Sequence, residues 1–479
     1  MSGPLERLLQ TIEADMGAPA GSQFVEVAAR YFSGSGTPER GVTTRAAPDE
    51  LAGLFEHRLA AEGRPLAEVL AHVERDVVAQ SNWLFHPRYM GHQVSAPLPA
   101  AVWADALVST LNQSIAVQEM SPALTMVEHR LVRWLCEAAG FPAGAGTFTS
   151  GGTEATFTAL LAARAAALPH AWESGLEDGE LPVVLCGEHA HYAVTRAVAQ
   201  LGLGLKRAVL VRSRDHRMDV GDLEARLHQL AHEGKTVMAV VATAGSTATG
   251  SFDDLHAIAD LCDEHGTWLH VDGAHGASAL LSEKHRQTMA GVERARSLAW
   301  DPHKMMLLPL SAGVLLVRAA HELDAAFRQQ APYLFHATAE RSRDQGGRSF
   351  QCSRRADALK LWVAVQRYGT AAFGLLYNHF AELAAYLHAQ LAAHPDFEVL
   401  HEPECNILCF RYVRGAARDL DEKNLTLRTE YNTRGTGWIT TTVLSGMRVL
   451  RVTLINPRIR REHLDAMVAE LSAIGEGIQ

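Results

Sequence analysis

The sequence predicts an α/β protein built on a mostly parallel sheet, and three observations carry that expectation. Short apolar runs recur between about 140 and 320: PVVLCG (182–187), RAVLVR (207–212), TVMAVVATAG (236–245), TWLHVDGAHG (267–276) and AGVLLVR (312–318). Between them, DLEARLHQLAHEG and FDDLHAIADLCDEHG repeat apolar residues every three or four positions, the period of an amphipathic helix. The strand runs are almost continuously apolar rather than alternating, which marks a sheet covered on both faces.

The remaining elements follow in chain order. At 479 residues the chain is long for one core, so two or three domains are expected. Residues 1–80 read as a helical arm, as in DELAGLFEHRLAAEGRPLAEVLAHVERDVV, with too little internal core to stand alone. Such an arm is expected to pack on another domain or on a partner subunit. Residues 81–374 hold the large α/β domain. From 375 to 479 a long helix, the runs FEVL, NILCFRYV, GWITTTVL and MRVLRVTLI, and a closing helix RREHLDAMVAELSAIG read as a smaller α+β domain.

Composition excludes several functions. The net charge is −10, and no basic block or basic-aromatic pattern occurs, so no nucleic-acid partner is expected. The apolar stretch Met305 to Val317 falls short of the ~20 residues that span a bilayer, and it contains a proline and a glycine. The N-terminal MSGPLERLLQTIEADMG has no signal-peptide core. No membrane association is expected. Six cysteines without CxxC spacing read as reduced thiols, which suits the cytoplasm.

In a parallel α/β sheet, ligands bind beyond the carboxyl ends of the strands, so the residues after each run matter. EHAHY follows PVVLCG, STATG follows VVATAG, and WLHVDGAHG carries His270, Asp272 and His275. After SLAW comes DPHK, placing Lys304 between a histidine and a long apolar run. Upstream, Ser150-Gly151-Gly152-Thr153 precedes a helix, a turn that suits phosphate but is also an ordinary cap.

Two chemistries compete for this set. A metal could use His189, His191, His270, Asp272 and His275, with His270 and Asp272 on one strand face. That reading leaves Lys304 and the glycine turn without a role. Pyridoxal phosphate needs a lysine amine, an acid at its ring nitrogen, a phosphate cradle and a flat group on its ring. Lys304, Asp272, the glycine turn and His191 supply these, so no metal is expected.

With those residues in place the chain resembles the group II pyridoxal-phosphate amino-acid decarboxylases, the family of glutamate, cysteine sulfinate, diaminobutyrate and aromatic amino-acid decarboxylases. The resemblance runs through HPRYMGHQ (86–93), NQSIAVQEMSPALTMVE, SGGTEAT, EHAHYAV, VATAGSTATGSFDD, WLHVDGAHG, WDPHKMM, PYLFH, FQCSRRADALKLW and RVTLINP (451–457). It implies the type I, aminotransferase-like fold with a seven-stranded sheet, and a homodimer with active sites at the interface.

The resemblance also implies residue roles. Lys304 carries the cofactor as a Schiff base, His191 stacks on its ring, and Asp272 pairs with the ring nitrogen. Gly152, Thr153 and His303 lie near the phosphate, Ser246 touches the cofactor edge, and Ala274 packs on the face opposite His191. Ser353, in FQCSRR, reaches toward the phosphate of the neighbouring subunit. Tyr333 belongs to a catalytic loop and is the candidate donor that reprotonates Cα. Arg451 binds a substrate carboxylate. His92, Gln93 and Asn112 are candidate substrate contacts, with plain loop polarity as the competing reading.

Some positions depart from the family pattern: Asp301 stands where many relatives have Asn, Gly273 replaces Ala, His275 replaces an aromatic, and His92 replaces the Gln of the glutamate branch. The expected reaction is decarboxylation of a small polar or acidic L-amino acid. A diaminobutyrate or aromatic substrate, a type I aminotransferase or oxidative deaminase, and a catalytically silent binding protein are the competing functions.

Overall fold

The computed structural model describes residues 3–37, 41–44, 46–56, 59, 61–176, 181–328, 343–416 and 419–478. The strands in chain order are β1 (Ala145–Thr149), β2 (Val183–Gly187), β3 (Ala208–Val211), a short hairpin of β4 (Ser213–Arg214) and β5 (Arg217–Met218), β6 (Val237–Thr243), β7 (Trp268–Asp272), β8 (Ser297–Trp300) and β9 (Gly313–Val317). Seven of these form one sheet in the order β1-β9-β8-β7-β6-β2-β3. Only β9 runs antiparallel to its neighbours; the other pairs are parallel, as the type I fold requires. Every residue of β2, β7, β8 and β9 is buried, the consequence of helices on both faces and the reason these runs are continuously apolar.

A second, antiparallel sheet has the order β10-β11-β13-β12, from β10 (Phe397–Val399), β11 (Ile407–Tyr412), β12 (Thr440–Leu444) and β13 (Met447–Thr453). The helix Ala371–Ala393 joins the two units. Its Phe373, Tyr377 and Phe380 sit in the core of the large sheet, while Leu383, Leu387 and Leu391 sit in the core of the small one. The expected boundary at 375 therefore falls inside a helix.

Met90 also belongs to the small-sheet core. Its N–H donates to Trp438 O (2.9 Å), and its carbonyl accepts from Thr453 N–H (2.8 Å). The segment leading to Gln93 is thereby inserted between the chain entering β12 and the end of β13, although it lies early in the range expected for the large domain. At the N-terminus, the helix Pro4–Asp15 buries none of its residues in this chain.

Candidate active site

The sheet changes direction of growth at β2, which has β3 on one side and β6 on the other. The crevice beyond the carboxyl ends at such a point collects side chains from separate strands. Here the end of β2 leads to His191, the N-cap of the helix Tyr192–Gln200; β6 ends in Thr243, β7 in Asp272, and β8 leads through Asp301 to Lys304. These groups line one cavity of about 410 Å³.

Of the residues expected at the site, Gln93, Gly152, Thr153, His191, Asp272, Ala274, His303 and Lys304 line this cavity. Ser150, Gly151, Thr243, Gly245, Thr247, His275, Asp301 and Leu310 complete the lining. Thr243 and Thr247 carried a signal, their place at a strand end. Leu310 carried none, because the fold of a loop brings it there.

The helix Gly152–Ala167 points its N-terminus into the cavity. Its N-cap is Gly151, which offers no side-chain cap, and Glu154 accepts the backbone amide of Ser150 (2.8 Å), which lies outside the helix. The first amides of a helix have no intrahelical partner, so this positive end suits a phosphate. Gly152 is required by close approach: a Cβ there would lie 2.8 Å from Ala274 Cβ and 3.1 Å from Asp301 Oδ2.

The titratable groups are held by specific bonds. His191 Nδ1 accepts the Ala193 N–H (3.2 Å), so in the neutral ring Nε2 carries the proton. Burial pushes its pKa down, while Asp272 pulls the other way. His303 Nδ1 accepts the Ala312 N–H (3.2 Å), and burial lowers this imidazole too, against the opposing charge of Asp301. Asp272 is buried, and its Oδ1 accepts the Ala274 N–H (3.2 Å). Asp301 is 2% exposed; its Oδ2 lies 3.3 Å from Lys304 Nζ and 3.5 Å from His303 Nε2, while its Oδ1 has no partner. An amine, a buried acid at a strand end, a flat imidazole and an uncapped helix end around one cavity fit pyridoxal phosphate.

Other expected residues lie elsewhere. Ser246 sits behind the lining, its hydroxyl bonded to Thr249 Oγ1 (2.9 Å) and accepting the Ser251 N–H (3.3 Å); Thr247 is the hydroxyl residue of this loop that lines the cavity. Arg451 is buried beside the lining: Nε donates to Ala248 O (3.1 Å), Nη1 to Gly91 O (3.4 Å), and Nη2 has no partner. His92 is exposed and faces Trp438, with ring centroids 6.5 Å apart. Asn112 is exposed too, as the left-handed C-cap of the helix Pro99–Leu111. Ser353 is exposed outside its own chain's cavity, but its neighbour Gln351 donates to Glu154 Oε2 (3.2 Å) at the foot of the glycine turn. Tyr333 lies outside the described residues.

The five side chains of the metal reading do not converge. His270 is sealed in the sheet against Ser297 Oγ (2.9 Å), His275 is bonded to Asn406, and His189 faces His216. Among the described residues, His228, Glu264 and His265 form the one group at ligand spacing, away from this lining. No helix among the described residues is long and apolar enough to cross a membrane.

Fold and site together define a pyridoxal-phosphate enzyme of the type I class. Residues 48–413 match the pyridoxal-dependent decarboxylase conserved domain, and the chain belongs to that family of amino-acid decarboxylases. It is 30% identical over 480 residues to the acidic amino acid decarboxylase GADL1 of Homo sapiens, spanning 96% of this chain and 92% of that protein. It is 31% identical over 437 residues to the aromatic-L-amino-acid decarboxylase of Bacillus atrophaeus, covering 90% of each. The crystal structure of mouse CSAD in apo form superposes with a TM-score of 0.91 at 28% identity, over 96% of this chain and 100% of that one.

Proposed function

We propose that this enzyme removes the α-carboxylate of a small acidic L-amino acid as carbon dioxide, releasing the amine. The observation that carries the substrate class is a set of buried donors without partners beside the cofactor cavity: Gln93 Nε2, Arg451 Nη2 and Trp438 Nε1. Buried donors cost about 1–3 kcal/mol each when unpaired, so they favour a ligand rich in acceptor oxygens. The similarity to the acidic amino acid decarboxylase GADL1 points the same way.

Pyridoxal phosphate, when bound, supplies an electron sink for the charge left on Cα. Lys304 would hold it, the Gly152–Thr153 turn and His303 its phosphate, Asp272 its ring nitrogen in the protonated form, and His191 and Ala274 its ring. Arg451 orients a substrate carboxylate. His191 keeps its Nε2 proton available, and Tyr333 delivers a proton to Cα, the step that separates amine formation from transamination or oxidation.

A second reading rests on His275, whose Nδ1 is a buried acceptor without a partner in the cavity wall. It favours a substrate with a distal ammonium, such as diaminobutyrate. The deciding experiment loads the protein with pyridoxal phosphate and measures carbon dioxide and amine from aspartate, glutamate, cysteine sulfinate, 2,4-diaminobutyrate and aromatic amino acids. Activity confined to diaminobutyrate or aromatic substrates overturns the acidic assignment. Keto acid or aldehyde in place of amine overturns the reaction.

The enzyme further acts as a cytoplasmic homodimer. Leu5, Leu8, Leu9 and Ile12 of the arm are each more than half exposed, as are Leu107 and nearly Leu111 of the helix Pro99–Leu111. Apolar area of this extent suits a second copy of the chain. All six cysteines are free, which suits a reducing compartment. A monomeric mass in solution would overturn the dimer.

A further inference from the structure

Among the described residues lining the cavity, Asp301 is a buried carboxylate whose charge opposes a phosphate at the helix end beside it. It lies under the first residue of the helix Gly152–Ala167, close enough that a Cβ on Gly152 would sit 3.1 Å from its Oδ2. That oxygen also contacts Lys304 Nζ at 3.3 Å. Its second oxygen is buried without a partner. A carboxylate placed here faces the positive end of the helix and pairs with the Lys304 ammonium from within the protein.

The cofactor's phosphate needs the same positive end. Lys304, once it holds the cofactor, would be engaged in that covalent bond and would no longer serve Asp301 as a free ammonium. Two anions are then left at one helix terminus, with His303, 3.5 Å from Asp301 Oδ2, as the neighbouring group able to offset them. A like charge nearby disfavours a charged form, and charges within ~4–6 Å act on one another by about one to three pKa units when opposite in sign.

Resting on the assignment of this cavity to pyridoxal phosphate, we propose that Asp301 is an internal counter-anion that stabilises the cofactor-free protein and weakens its grip on the cofactor's phosphate. The enzyme is thereby built to exchange its cofactor rather than to retain it permanently. The two effects have opposite signs in a variant that removes the charge and keeps the shape, whereas a merely structural aspartate would lower both stability and affinity when changed.

The test uses full-length cofactor-free protein and Asp301→Asn, with pyridoxal phosphate and unphosphorylated pyridoxal titrated into each and followed by visible absorbance. The expected result is that D301N binds pyridoxal phosphate about tenfold tighter or more, gains less for pyridoxal, and melts lower than wild type when cofactor-free. Equal or weaker binding of pyridoxal phosphate overturns the proposal, as does an equal gain for pyridoxal, which would place the effect at Lys304 alone. If D301N does not fold, Asp301→Ser carries the same comparison. Should neither wild type nor variant take up pyridoxal phosphate, the functional assignment itself fails; should both take it up equally, only this inference does.

Discussion

His275 Nε2 donates to Asn406 Oδ1 across 2.7 Å, tying the end of the large sheet to the first turn of chain before β11. Asn406 Nδ2 donates to Leu454 O (3.1 Å), which leaves Oδ1 as the acceptor and makes His275 a neutral Nε2–H ring. Burial pushes its pKa down to about 3, helped by the charges of Lys304 and Arg451.

Two further buried histidines behave alike, and acid stability follows. Burial pushes His86 and His270 down to about 4, from an ordinary 6.5. The unfolded chain takes up these protons near pH 6.5, but the folded protein resists to pH 4 or below. The stability of the neutral rings is therefore complete above 6.5 and lost as pH falls toward 4. Asp253 has the opposite sign, since burial raises its carboxyl to about 6 and the folded state binds that proton first. These three histidines less this one aspartate contribute a net two protons, or roughly 3 kcal/mol per pH unit where all four titrate together. Melting temperatures of the cofactor-free protein should fall between pH 6.5 and 4.5, and His275→Gln should flatten the slope by one proton. A flat wild-type profile would contradict this.

Arg451 reaches from β13 to two backbone carbonyls of separate segments, Ala248 and Gly91, and keeps Nη2 free. A lysine retains charge but cannot span this fork. Arg451→Lys should raise KM for an acidic substrate by roughly thirtyfold, the equivalent of about 2 kcal/mol for one charge-assisted hydrogen bond. The visible spectrum of the bound cofactor should not change. Steady-state kinetics beside absorbance would show it, and an unchanged KM would remove Arg451 from substrate binding.

Gly152→Ala places a methyl group 2.8 Å from Ala274 Cβ. Overpacking of this kind costs about 1–3 kcal/mol, and the displaced turn should bind pyridoxal phosphate at least about tenfold more weakly. The added substitution Ala274→Gly reopens the space and should restore part of the affinity. Titration of the cofactor into single and double variants checks both statements; no recovery in the double variant would place the effect elsewhere.

Much of this arrangement was readable from residue order, because a doubly covered parallel sheet writes its strands as apolar runs and its ligand groups just after them. The runs at 182–187, 236–245, 267–276 and 312–318 contain β2, β6, β7 and β9. The direction of β9 was not readable, since side-chain pattern does not record whether a buried strand runs up or down. β1, five residues with a glycine, reads as part of the phosphate turn rather than as a strand. His270 and Asp272 share a strand face, but two residues of depth separate a sealed ring from a cavity wall. The meeting of Gly91 and Arg451 across 360 positions depends on the Met90 segment joining the small sheet, a pairing with no local signature. Burial of a lysine is no guide either: the side chain of Lys304 is 19% exposed, whereas that of Lys360 is 0% exposed.

Lys360 has a different task. Its ammonium pairs with Asp357 (2.8 Å) and donates to Ser311 O (2.6 Å) and Pro309 O (3.3 Å). It thereby grips both sides of Leu310, which lines the active-site cavity. Replacing it with methionine leaves buried Asp357 only the long contact to Arg355 (3.9 Å) and two carbonyls without their donor, a loss of about 3–5 kcal/mol for a broken buried pair. Lys360→Met should lose that much stability in denaturant unfolding, and Asp357→Asn in the same chain should return part of it by removing the stranded charge. The cofactor's covalent attachment should survive in the folded fraction, because Lys304 is untouched. A loss below about 1 kcal/mol in the single variant, the range of an exposed pair, would mean that the ammonium does not hold this loop.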